Sequence, residues 1–177
     1  MSVCAGHEKG QPMENDPTFY WKSSHIQIVG PETDLNFLDS QSVTLTQPVT
    51  ALEAWRQVMR QPMPVVKRAF AIRDAVVSKF GVKRIGGFSG TTPAQVEVGQ
   101  KLDFFLVEHI SPQVLTLTER DTHLDVMTCI SVQDRTVSIT SSVITHNWVG
   151  RLYMVPVAPA HKMIVARNLL WLSQQMG

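Results

Sequence analysis

From Arg84 to His146 the spacing of apolar positions tends to a period of two, with Gly86, Gly87 and Gly90 marking a turn or irregular strand at its start, and before Gly81 and after Gly150 the spacing is helical. Alternation with a period of two puts successive side chains on opposite faces of a strand. Residues 101–110, 114–119, 123–132 and 136–146 therefore read as an antiparallel meander. Its turns fall at Ser111-Pro112-Gln113, around Arg120, and at Gln133-Asp134-Arg135. Upstream, Val43-Thr44-Leu45-Thr46 reads as a first strand, and Pro48 ends it.

Two helices are expected after that strand. Thr50 stands three residues before Glu53, the spacing of a capping box, and Leu52, Trp55, Val58 and Met59 form one apolar stripe. Pro64 opens a longer helix carrying Val66, Ala69, Phe70, Arg73, Val76, Val77 and Phe80, which Gly81 closes. Beyond Gly150, Leu152, Val155, Pro159, Met163, Ala166 and Leu170 again keep helical spacing. Pro156 and Pro159 each remove a backbone donor, so a kink or break is expected there and a continuous helix over 160–175. A single sheet cannot bury its own inner face. The expected fold class is thus α+β, a helix-grip architecture in which a curved antiparallel sheet wraps on the C-terminal helix. Met163, Ile164, Leu170 and Trp171 are the contacts expected to meet the sheet. Such a fold tends to enclose a cavity suited to a small apolar or amphipathic molecule.

At 177 residues the chain fits one domain. Residues 1–35 lack a sustained period and are expected to be poorly ordered or loosely docked, with Phe19, Tyr20 and Trp21 as docking groups; residues 36–177 form the single domain. A net charge of +1 selects neither nucleic acid nor a membrane. The charges are segregated: residues 1–53 hold seven acids and two bases, residues 60–84 seven bases and one acid, and no acid follows Asp134. Two isolated thiols, Cys4 and Cys129, suit a reducing compartment. No secretory signal and no apolar run of about 20 residues stands in the sequence, so the cytoplasm is expected.

Familiar catalytic signatures fail. Gly87-Phe88-Ser89-Gly90 puts its second glycine one position too early for a nucleophile elbow, and no dinucleotide or phosphate-binding glycine loop is present. No cofactor is expected. Neither is a metal, because the six histidines do not fall at ligand spacing. His123 and Asp125 share a strand face, where a carboxylate can poise an imidazole as a general base, or both can simply hold turn backbone. A two-residue loop at Asp134-Arg135 would place His146 opposite His123; a three-residue loop would place Thr145 there. Arg151 can hold an anion with its planar fork, or clamp Asp121 or Asp125. Tyr153 can orient a carbonyl.

Several of these residues also carry a resemblance. His123-Leu124-Asp125, His146-Asn147, Gly150-Arg151-Leu152-Tyr153 and Pro159-Ala160-His161 resemble an uncharacterised domain-of-unknown-function family of small bacterial proteins, related to the START and polyketide-cyclase-like superfamily. The likeness runs from about Leu45 to Leu172 and includes Pro64, Arg73, Asp74 and Gly81. Two departures, Ala160 and the pair Val65-Val66, stand where aromatics are commoner, which would reshape a cavity. The resemblance implies a helix-grip fold, and fusions within the family suggest a nicotinamide-dependent oxidoreductase as partner. The leading expectation is a domain binding a small apolar or amphipathic ligand, with Arg151, His146 and His161 as ligand-binding candidates. The alternatives are an acid–base enzyme using His123, Asp125 and Tyr153 on a carbonyl compound, and an interaction module for that oxidoreductase.

Overall fold

The computed structural model describes residues 20–23, 25–61, 93 and 95–176. The expected helix over 64–81 and the glycine-rich segment over 86–90 lie outside them. A hairpin of β1 (Tyr20–Ser23) and β2 (Ile26–Ile28) comes first, then β3 (Phe37–Thr44) and α1 (Ala51–Arg60). The meander follows as β4 (Lys101–Leu102), β5 (Phe105–Ile110), β6 (Val114–Arg120), β7 (Leu124–Gln133) and β8 (Thr136–Thr145), and α2 (Trp148–Met176) ends the chain. β3 to β8 form one open, curved antiparallel sheet in the order β3-β8-β7-β6-β5-β4. The α+β expectation holds.

Local chemistry explains the element ends. Thr50 caps α1 by accepting from the Glu53 amide, while the Glu53 carboxylate takes the Thr50 amide at 2.8 Å. That backbone bond holds the Glu53 carboxyl below its usual range. β7 and β8 are joined by Asp134-Arg135 alone, with Gln133 paired to Thr136. Asp134 takes φ 55, a left-handed conformation that aspartate tolerates better than most residues.

The register sorts the sheet into two unlike faces. One cross-strand row runs Gln41, Ile139, Ile130, Leu115, Ile110, and the next Asp39, Ser141, Thr128, Leu117, Val107. This inner face is covered by Ala51, Ala54, Trp55 and Val58 of α1 and by Val165, Leu169 and Leu172 of α2. The other face presents hydroxyl rows: Ser40 and Thr140 bond at 2.8 Å, as do Ser42 and Ser138. β2 lies over its centre. Gln27, Ile28 and Val29 are buried there, the Gln27 amide donates to Cys129 Sγ at 3.4 Å, and the Val29 amide donates to Ser142 Oγ at 3.0 Å.

α2 differs from expectation twice. It runs as one helix through Pro156 and Pro159. The carbonyls those prolines leave without an N–H belong to Leu152 and Val155, which are 62% and 70% exposed, so water can take the place of the missing donors. Of the four residues expected to meet the sheet, Ile164 and Trp171 are half-buried, but the other two are not covered. Met163 and Leu170 are 68% and 59% exposed, while Met154, Val165, Leu169 and Leu172 are buried. The helix carries two seams, both with the spacing 4-3-4 repeated every 11 residues. Gly150, Met154, Val157, His161, Val165, Asn168 and Leu172 face the protein; Trp148, Leu152, Val155, Pro159, Met163, Ala166 and Leu170 face away.

Candidate functional site

The two-residue turn decides the geometry at the far end of the sheet. It sets His123 opposite His146, whose amide donates to the His123 carbonyl at 2.8 Å. Asp121 Oδ1 accepts the amides of His123 and Leu124 at 2.6 and 2.9 Å, which turns the chain into β7. Asn147 starts α2: its Oδ1 accepts the Gly150 amide at 3.1 Å and its Nδ2 donates to the Thr122 carbonyl at 3.0 Å. The same Oδ1 lies 3.1 Å from His123 Nδ1. An amide oxygen only accepts, so Nδ1 carries the proton and neutral His123 keeps its lone pair on Nε2.

Asp125 does not pair with His123. Its Oδ1 meets His146 Nε2 at 3.1 Å, a diagonal cross-strand contact on the face away from α2. The two side chains are 20% and 39% exposed. Arg151 stands in solvent and makes no ion pair among the described residues, neither with Asp121 nor with Asp125. Tyr153 joins the small inner cluster of Leu124, Val143 and Met154. The sequence-derived candidates thus divide: Asp125 and His146 behind the sheet, Tyr153 and His161 on its inner side, Arg151 on neither. Among the described residues no three His, Cys, Asp or Glu side chains converge as metal ligands.

The inner side holds the less ordinary chemistry. His161 packs edge-on against Phe37 of β3, with ring centroids 5.8 Å apart. Asp39, on the same strand, receives Gln41 Nε2 at 2.7 Å and approaches Lys162 Nζ at 4.0 Å. Burial pushes the His161 imidazole below its usual range, and the Asp39 carboxylate only partly opposes this. His161 Nε2, Asn168 Oδ1 and Trp171 Nε1 are all buried without a hydrogen-bond partner. His161 and Asn168 belong to the buried seam itself, two turns apart, and Asn168 is 6% exposed. Sequence reasoning passed over Asn168, and took Trp171 as apolar contact alone. The available signal was an asparagine between Val165 and Leu169, inside an otherwise apolar helical face.

Comparison with known proteins adds a family and no activity. Among the curated proteins nothing matches the chain. A family model described as "Protein of unknown function (DUF2867)" matches residues 32–168, a span that takes in β3 to β8, α1 and α2 as far as Asn168. The sheet, its capping helix and the polar residues of the buried seam all fall within that match, and the chain belongs to the DUF2867 family.

Proposed function

We infer that the protein binds a small amphipathic molecule between the inner face of the sheet and α2, with His161, Asn168 and Trp171 as its polar contacts. The observation that carries this reading is Asn168. A buried amide oxygen without a donor costs about 1–3 kcal/mol, and here it sits in the seam that packs α2 on the core. His161 Nε2 and Trp171 Nε1 bear the same penalty in the same helix. Three such groups among valines and leucines suit a ligand that is largely apolar and carries hydroxyl or carbonyl groups. The acid–base alternative has less support, since Asp125 and Tyr153 lie on opposite sides of the sheet and share no substrate position.

Native mass spectrometry of the purified protein tests the reading, with Asn168→Leu as the partner sample. The expected result is a small molecule retained by the wild type and lost from Asn168→Leu, which folds and, emptied of ligand, melts no lower. A wild type that flies at its bare sequence mass, and whose Tm no amphipathic compound raises, overturns it. So does an Asn168→Leu variant that keeps the same adduct.

A further inference from the structure

The seam of α2 that faces away from the protein is more apolar than the one that faces its core. Trp148, Leu152, Val155, Pro159, Met163, Ala166 and Leu170 include no polar side chain, whereas the buried seam contains His161 and Asn168. Trp148 is 68%, Leu152 62%, Val155 70%, Met163 68% and Leu170 59% exposed. A helix with one apolar stripe toward the core and a second facing away is normally covered on both. We propose that this seam lies on an anionic lipid surface.

Charge, shape and length each point to that occupant. The only ionic side chains of α2 besides His161 are Arg151, Lys162 and Arg167, and no acid follows Asp134. At about 100° per residue, Arg151 and Lys162 fall on one flank of the seam and Arg167 on the other. Arg151 and Arg167 are exposed and make no ion pair among the described residues; Lys162 is 56% exposed, at 4.0 Å from Asp39. A second copy of the helix would bring only further cations against these three, in either orientation. Anionic headgroups instead meet both flanks while acyl chains take the apolar line between them. The 11-residue repeat drifts by only about 20° each time, so the seam runs nearly straight for roughly 33 Å and suits a plane. Among the described residues no helix is long and apolar enough to cross a membrane, so α2 lies along the surface. Trp148 ends the seam with a ring suited to the headgroup boundary. The opposite side of the helix, with His161 and Asn168, takes no part, and this proposal stands or falls apart from the ligand reading.

Flotation of the full chain with vesicles tests it, comparing phosphatidylcholine alone with phosphatidylcholine containing roughly 30% phosphatidylserine. The expected result is binding to the anionic vesicles, weakened when salt shortens the Debye length from about 10 to about 3 Å. Leu152→Glu and Val155→Glu, at exposed positions, keep the wild-type Tm and lose binding. Arg167→Glu lowers partitioning roughly fivefold or more. No flotation of the wild type overturns the proposal, as does binding that Leu152→Glu leaves unchanged. Light scattering that finds a wild-type dimer split by Leu152→Glu also overturns it, by giving the seam to a second copy.

Discussion

His161 shows how one residue ties the packing to solution conditions. Its ring fills space against Phe37, yet its Nε2 has no partner and burial disfavours the charged form. The folded-state pKa therefore lies below the unfolded one. Above the unfolded value, about 6.5, both states are neutral and His161 adds no pH dependence. As pH falls through that value toward the depressed one, the unfolded chain binds the proton first and stability drops. His109 is displaced in the same direction by its own burial and contributes to the same slope. Urea unfolding at pH 7.5, 6.5 and 5.5 should show stability falling with acid, and less steeply in His161→Phe, which keeps the edge contact and removes the titration. Equal slopes in the two proteins would show that His161 becomes charged without penalty.

At the level of elements, the junction of β7, β8 and α2 is held by one missing side chain. Gly150 sits in the first turn of α2, where a Cβ would collide with the carbonyl oxygen of His123 and come within 3.3 Å of Thr145 Cβ. A glycine inside a helix ordinarily costs about 1 kcal/mol relative to alanine. Here the sign should reverse: Gly150→Ala should lower stability by about 1–3 kcal/mol, because the clash is with backbone whose own carbonyl accepts the His146 amide. A midpoint that rises in chemical denaturation would rule this out. The same junction shows what the sequence made legible. Alternation located the meander strands and the capping box located α1, because each signal is local. The turn at Asp134 was not selected, since it lacks the glycine that marks such loops, and with it went the pairing of Asp125 with His146. For α2 the local signal was ambiguous. Both seams have the same 4-3-4 spacing, and the wholly apolar one reads as the core although it is the exposed one. β3 starts six residues earlier than the alternating apolar run because its first part is polar on both faces: Ser40 and Ser42 join the hydroxyl rows, while Asp39 and Gln41 hold inner-face positions and bond each other.

On the scale of the molecule, the two sides of the sheet are closed by unequal means. Among the described residues the inner side is covered by α1 and α2 with two apolar clusters. The outer side is sealed over its centre by the short β1–β2 hairpin, which forms its own two-stranded sheet rather than extending the large one. Among the described residues its hold there rests on the burial of Gln27, Ile28 and Val29, on bonds from backbone amides to Cys129 and Ser142, and on the Thr116 hydroxyl, which donates to Gln27 Oε1. Because the hairpin shares no backbone ladder with the large sheet, it is expected to open without the rest of the fold. Cys129 lies beneath it, wholly buried, and burial also raises its thiol pKa, so labelling requires opening. In a Cys4→Ser background, a thiol reagent at pH 8 should label Cys129 at least about a hundredfold more slowly than in the unfolded chain. The rate should then vary little with urea below the unfolding transition, because opening the hairpin exposes far less surface than unfolding the sheet. A labelling rate with the full urea dependence of global unfolding would mean that β1 and β2 leave only when the large sheet comes apart.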